Sequence, residues 1–347
     1  MPPNGNSTNG GAEYLLDFEK PLAQSMRLIA ELEAEQASTG RSRAAEIRKQ
    51  QAEYFRLLRN TYSHLSAWET VQVSRHPRRP LAGDHIAAMV KDFVELHGDR
   101  RYADDRAIRC GLGRIATERV MIVAQHKGRD TAEKIECNFG CAHPEGYRKA
   151  LRAMKLAEKF SLPVVTLIDT PGAYPGIGSE ERGVAESIAV CMREMSRLRT
   201  PILCAVIGEG GSGGALGIGV GDRLGMFEYA YYSVISPEGC AAILWKTGEK
   251  AAEAAEAMRI TARDLTALDV IDEIIREPVG GAHRNPAGAS ANLERFIVRG
   301  LRELRRAPVE DLLEARYRRW RRMGKWMEVS AESADPAAQP SPLTPRP

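Results

Sequence analysis

Ile207-Gly208-Glu209-Gly210-Gly211-Ser212-Gly213-Gly214-Ala215-Leu216-Gly217 is the stretch on which the reading of this chain turns. It continues an apolar run, residues 202–207, that is bounded by Pro201 and Gly208 and reads as a buried strand. The glycines then open a helix. At such a junction they let the backbone approach a ligand closely, and the first helical turn offers unpaired N–H groups and the positive end of its dipole. The segment reads as a cradle for an anion or oxyanion. From Gly217 to Gly221, close packing of helix on strand is the competing explanation.

Three chemistries compete for the cradle. Gly208-x-Gly210-x-x-Gly213 matches the dinucleotide fingerprint, with Glu228 about 20 residues on. The helix that follows is only about seven residues long before Gly221-Asp222, too short to cover a sheet as a βαβ crossover does. Asp169-Thr170-Pro171-Gly172 looks like a nucleotide-hydrolase switch, yet no GxxxxGK[ST] loop exists to hold the phosphates. The third reading is stabilisation of an enolate formed beside a thioester or ureido carbonyl. Two adjacent backbone N–H groups suit that charge because they are fixed before it develops. Acyl-CoA enzymes of the crotonase type are built this way, which agrees with the absence of an obvious Ser/His/Asp or Cys/His arrangement.

Outward from the cradle, strand and helix patterns alternate. Residues 120–124 (VMIVA) read as a strand followed by the polar turn QHKGRDT. A helix over 144–160 starts at Pro144 and aligns Tyr147, Leu151, Met154 and Ala157. A strand over 164–168 ends at Asp169, and a helix is expected over 180–199 with Val184, Ile188, Cys191 and Met195 on one face. Short strands near 226–235, a helix near 240–246, a capping-box start at Thr261-x-x-Asp264 and a strand over 270–275 complete an α/β domain with parallel pairings over about 85–280. The Pro-rich segment 75–84 (RHPRRPLAGD) marks its N-terminal boundary. Before it, Phe18, Leu22, Met26, Ile29 and Leu32 stripe one helix, and Ile47, Tyr54, Phe55 and Leu58 lie on another. Neither has enough apolar surface to stand alone, so both should pack on the later domain or on another subunit. Residues 286–325 return to helix, and RYRRWRRMGKW reads as a solvated, subunit-facing surface rather than a nucleic-acid patch. The expected organisation is a disordered 1–13, an N-terminal helical region 14–80, the α/β domain 81–285, C-terminal helices 286–329 and a disordered tail 330–347.

Composition narrows the function classes. The chain has 347 residues, 43% hydrophobic and 27% charged, enough for a sizeable core and inconsistent with disorder throughout. Forty-nine basic against 46 acidic residues leave +3, which argues against a dedicated nucleic-acid partner. No apolar run is long enough to span a bilayer and the N-terminus lacks the features of a secretory signal, so a cytoplasmic protein without a membrane partner is expected. The six cysteines are scattered, as expected of reduced thiols. Cys137-x3-Cys141 with His143 nearby lacks the second pair of ligands that a structural zinc site needs, so no metal is expected in this chain.

Beyond single motifs, an ordered series resembles one family: DTPGAYPG (169–176), EERG (180–183), REMSRL (193–198), GEGGSGGAL (208–216) and SVISPEGCAAILWK (233–246). LDFE (16–19), ELHGDR (95–100), NFG (138–140), HPEGYRKA (143–150) and GGAHRNP (280–286) extend the series. Over about residues 14–325 the chain resembles the carboxyltransferase alpha subunit of bacterial acetyl-CoA carboxylase. The resemblance implies a crotonase-like α/β fold of ββα repeats with helices at both ends. It implies transfer of a carboxyl group from carboxybiotin, carried on the biotin carboxyl carrier protein, to the coenzyme A thioester acetyl-CoA. The product would be malonyl-CoA, in the first step of fatty acid synthesis. It further implies an α2β2 complex with a beta subunit that holds the only zinc, supplied with carboxybiotin by an ATP-binding biotin carboxylase; this chain would not be active alone.

By the same resemblance, the oxyanion hole falls on Gly213 and Gly214 and faces the biotin ureido oxygen, while the acetyl-CoA enolate is held mainly by the beta subunit. Gly210 and Gly211 would shape the turn. Lys127 and Arg129 would contact CoA phosphates or the partner, with a structural ion pair as the alternative, and Tyr174 would line the pocket. His126 reads as a loop residue rather than a base. The chain departs from the family at Ala124-Gln125-His126, where Gly-His-Gln is usual; at Glu136-Cys137, where a basic pair is usual; and at Gly217, where alanine is usual. These departures leave open a carboxylase subunit for another acyl-CoA, or a paralogue that binds a beta subunit without turning over.

Overall fold

The structure, a computed structural model, describes residues 14–324. The expected tails 1–13 and 330–347, and residues 325–329 of the expected C-terminal helices, lie outside the described residues. The first helices are α1 (Lys20–Thr39), α2 (Ala44–Ser63), α3 (Ala67–Ser74) and α4 (Ala82–Met89). Gly40, at φ +66°, turns α1 towards α2. Leu22, Leu58 and Tyr62 bury with Leu16, Val73 and the distant Tyr229, so the root of this hairpin docks on the following domain. Glu19 fastens it there: the Tyr62 hydroxyl donates to its carboxylate at 2.7 Å and Arg284 donates at 2.5 Å. Farther from the root, Met26, Ile29 and Leu32 are half-buried and Phe55 is exposed.

One sheet organises the rest. Its strands are β1 (Val90–Leu96), β2 (Ile108–Ile115), β3 (Glu118–Gln125), β4 (Val164–Thr170), β5 (Ile202–Gly211), β6 (Arg223–Phe227), β7 (Tyr231–Ser233) and β8 (Glu273–Ile275). Their order is β1-β2-β3-β4-β5-β6-β8, with β7 pairing on the end of β5. From β3 onward the pairings are parallel, but β1, β2 and β3 are antiparallel, which corrects the expectation of parallel pairing from residue 85. Strand β2 escaped the sequence pattern because Gly111 and Gly113 interrupt it. A side chain at Gly111 would collide with the Phe93 ring, its Cβ only 2.5 Å from the ring carbons. At the far end, only 273–275 of the expected strand 270–275 pair, because the N–H groups of Val270 and Ile271 still bond the Leu265 carbonyl.

The remaining helices are α5 (Thr131–Glu136), α6 (Pro144–Lys159), α7 (Ile177–Glu181), α8 (Val184–Arg197), α9 (Ser212–Leu216), α10 (Pro237–Trp245), α11 (Ala251–Met258), α12 (Ala262–Ala267), α13 (Pro286–Leu304) and α14 (Val309–Arg321). The single helix expected over 180–199 is divided at Gly183, whose φ of +73° ends α7 and starts α8. The capping box at α12 forms as read, Thr261 accepting from the Asp264 N–H. Strands β4 and β5, the centre of the sheet, are buried along their whole length. Central parallel strands covered on both faces need such unbroken apolar runs.

The arginine-rich α14 is not merely a solvated face. Arg316 is fully buried and spends all five N–H donors: two bonds to Asp222 at 2.7 and 2.8 Å, and three to the carbonyls of Met195, Leu198 and Thr200. It thereby satisfies carbonyls at the end of α8, a place where a helix leaves acceptors unpaired.

Candidate functional site

The sharp turn from β5 into α9 is the centre of the site. Ser212 sits at φ +54°, a left-handed conformation unusual for a residue with a side chain. Gly211 occupies the N-cap position and offers no side-chain acceptor. The N–H groups of the first turn therefore have no partner within the helix or its cap.

The glycines of the run do different work. At Gly213 an added Cβ would meet only Ile188, in ordinary contact at 3.9 Å, so there is room for a side chain, and the residue is partly exposed. At Gly214 a Cβ would overlap the backbone of Gly172 and Ala173, and at Gly211 the backbone of Pro171. At Gly210 it would lie 2.5 Å from the Tyr232 ring. Gly210, Gly211 and Gly214 thus let the 170–174 turn and β7 close on the cradle, while Gly213 leaves its mouth open. At Gly217, where alanine is usual, an added Cβ would lie 2.6 Å from the nearest carbon of the Tyr147 ring. The packing explanation holds there.

Beneath the cradle lies a charged network that the sequence did not reveal. The pairing of β4 with β5 is regular from Val164↔Ile202 to Ile168↔Val206, then shifts before Thr170↔Gly210. At that irregularity Lys127 sits between two carboxylates, 2.7 Å from Asp169 and 2.5 Å from Glu209. Glu209 also accepts from Arg75 and from the Tyr231 hydroxyl, each at 2.7 Å, and its own N–H donates to Asp169 at 2.9 Å. Burial pushes the Glu209 carboxyl up, but Lys127 and Arg75 outweigh it and bring it down to about 2. Lys127 is likewise pushed down by burial and raised on balance by the same two carboxylates. A charged residue inside a glycine run at the end of a buried strand was the available signal for Glu209.

The other expected site residues divide. Tyr174 is half-buried beside the cradle turn, its N–H bonded to Ala142 at 3.0 Å and its ring against His143 with centroids 4.2 Å apart. The Lys127 ammonium is engaged by Asp169 and Glu209, the ion-pair alternative. Arg129 points away, its guanidinium on Asp84 of α4 and its N–H on Glu133 at 2.7 Å. His126 holds the same loop through Glu133 at 2.9 Å, and the unexpected Glu136 pairs with Arg106. The first shared set is therefore Gly210, Gly211, Gly213, Gly214, Tyr174 and Lys127, with Arg129 outside it. All six cysteines are free thiols. Among the described residues no His/Cys/Asp/Glu group could hold a metal ion, and no helix is long and apolar enough to cross a membrane.

What this arrangement can do is hold negative charge on an acceptor atom with main-chain donors, over a rigid ionic base. Known proteins are similar to this chain. Residues 15–324 match the family model described as acetyl co-enzyme A carboxylase carboxyltransferase-like. The chain is 50% identical over 317 residues to the acetyl-coenzyme A carboxylase carboxyl transferase subunit alpha of Geobacter metallireducens, covering 91% of this chain and 99% of that one. It is 54% identical over 310 residues to the subunit of the same name from Coxiella burnetii, covering 89% and 98%. Among solved structures, transcarboxylase 12S aligns with a TM-score of 0.53 at 21% identity, over 65% of this chain and 41% of that one. That likeness supports the crotonase-like carboxyltransferase fold.

Proposed function

The chain belongs to the acetyl co-enzyme A carboxylase carboxyltransferase-like family, and from that premise we propose that it is the alpha subunit of the carboxyltransferase that makes malonyl-CoA from acetyl-CoA. The observation that carries the proposal is the cradle, where a strained turn at Ser212 leads into a helix start whose first-turn N–H groups have no partner within the helix or its cap, with room for a side chain only at Gly213. Carboxybiotin, when bound, supplies the carboxyl group and a ureido oxygen that becomes negative as that group leaves. The cradle fits such an oxygen: it offers adjacent N–H donors and has no side chain at residue 213 to fill the space. Those donors are fixed before charge develops, so they need not reorganise as the transition state forms. Tyr174 lines one wall, and Gly210 and Gly211 set the turn. Lys127, Asp169 and Glu209 hold the base of the cradle rigid.

The remaining components belong to the same proposal. A zinc-bearing beta subunit completes an α2β2 assembly and holds the CoA thioester enolate, the biotin carboxyl carrier protein delivers the carboxyl group, and an ATP-dependent biotin carboxylase loads it, all in the cytoplasm. The experiment is co-purification with a candidate beta subunit followed by carboxyl transfer between malonyl-CoA and biocytin. The proposal expects turnover by the complex and none by either subunit alone. Stable assembly without turnover, or turnover with propionyl-CoA in preference to acetyl-CoA, would overturn it.

A further inference from the structure

Gln125 ends β3 with its side chain fully buried, and each of its two amide atoms bonds a different segment of the site. Its oxygen accepts from the N–H of Asp169 at 3.1 Å, at the irregular end of β4. Its nitrogen donates to the carbonyl of Gly214 at 2.7 Å, inside the cradle helix. The Tyr147 hydroxyl donates to that same carbonyl at 3.2 Å. Among the described residues, Gln125 thus ties β4 directly to the Gly214 peptide through one side chain.

We infer that Gln125 is a positioning residue, whose bond to the Gly214 carbonyl sets the orientation of the α9 first turn and hence the aim of the N–H donors at Gly213 and Gly214. This rests on the cradle's proposed role. The geometry supports it in three ways. A five-residue helix has little internal hydrogen bonding to fix its own direction. Its N-cap has no side chain, so orientation has to come from outside. Its start is also held in a left-handed turn at Ser212, a conformation that persists only where the surroundings over-determine it. Gln125 and Tyr147 supply that determination from β3 and α6. The amide also has a chemical fit: its oxygen and nitrogen meet a donor and an acceptor at once, and it carries no charge beside Asp169, Lys127 and Glu209.

The test uses the assembled complex with a beta subunit and follows carboxyl transfer from malonyl-CoA to biocytin. Gln125→Met keeps the length of the side chain and removes both bonds. The expected result is a kcat lowered about ten- to a hundred-fold, the scale of a misplaced donor, with KM for malonyl-CoA within twofold of wild type and a complex that still assembles, melting somewhat lower because the buried Asp169 N–H loses its acceptor. A crystal structure of the variant should show the Gly214 carbonyl turned from its present direction. Tyr147→Phe, which removes the weaker bond to the same oxygen, should lower kcat less, and the two effects should not multiply in the double variant because they share one acceptor. A kcat within twofold of wild type, or a fall in kcat matched by an equal loss of malonyl-CoA binding, would overturn the inference. If Gln125→Met fails to assemble, Gln125→Asn, which keeps the amide but shortens its reach to the Gly214 carbonyl, decides, and an unchanged kcat there overturns it. Should the wild-type complex itself transfer no carboxyl group, the functional reading fails; the Gly214 carbonyl in the variant structure still tests the positioning role, and an unmoved carbonyl contradicts it.

Discussion

The ammonium of Lys127 stands 2.5 Å from the carboxylate of Glu209, directly under the cradle. Asp169 takes the other side of the same ammonium. Removing the cation by Lys127→Met leaves the buried Asp169 without its ionic partner, while Glu209 keeps Arg75 and Tyr231. Breaking a buried pair in this way costs about 3–5 kcal/mol. Chemical denaturation of the variant should show that loss, and a change below about 1 kcal/mol would mean the network relaxes or admits water.

The same network sets an acid limit. Glu209 in the unfolded chain titrates in the ordinary carboxylate range, near ~4.3, and in the folded chain at about 2. Between those values the unfolded state holds more protons, so stability is full above the upper value and is lost as pH falls towards the lower. Glu209→Gln should unfold with a shallower pH dependence across that window. An unchanged slope would show that other carboxylates govern acid unfolding.

His85 acts in a higher window. Its ring is buried against Phe227 and bonds Ser290 at 2.8 Å; burial, then Arg79, push it down to about 4. The unfolded state takes up a proton near ~6.5 while the folded state does not, so stability declines as pH falls from that value towards 4, by up to about 3 kcal/mol. His85→Phe should flatten this part of the stability profile, measured by denaturant midpoints at successive pH values.

How much of this was legible beforehand is clearest at particular residues. The cradle, β4 and the start of α6 stood out because runs of glycine, uninterrupted apolar stretches and Pro144 each have a local cause. Strand β2 did not, since Gly111 and Gly113 serve a contact with Phe93 from another strand. Gly183 hid a break within an otherwise regular helical stripe. Arg316 was indistinguishable from its neighbours in an arginine run, because what buries it lies some 94 residues away at Asp222. Asp169 and Glu209 meet at the shift in β4–β5 pairing, which no local pattern announces.

Arg316 gives a further prediction. With all five donors engaged in the interior, Arg316→Lys cannot substitute, because a lysine ammonium has three donors and no planar fork. Both Arg316→Lys and Arg316→Ala should lower stability by about 3–5 kcal/mol, read from denaturant midpoints. Near-wild-type stability of the lysine variant would contradict the burial of α14.

Adjacent glycines should respond in opposite ways. Gly213→Ala has room and gains helix propensity, so the chain should melt at or above the wild-type temperature. Gly214→Ala must displace the 172–173 backbone and should cost about 1–3 kcal/mol. Equal melting temperatures would show that the two positions are not distinguished as described.

The most direct test is carboxyl transfer by the reassembled complex carrying Gly213→Val. The side chain would occupy the open space before the donors while the fold stays intact. The expected result is an assembled, folded complex in which malonyl-CoA formation is abolished. Turnover near the wild-type rate by that complex would contradict it.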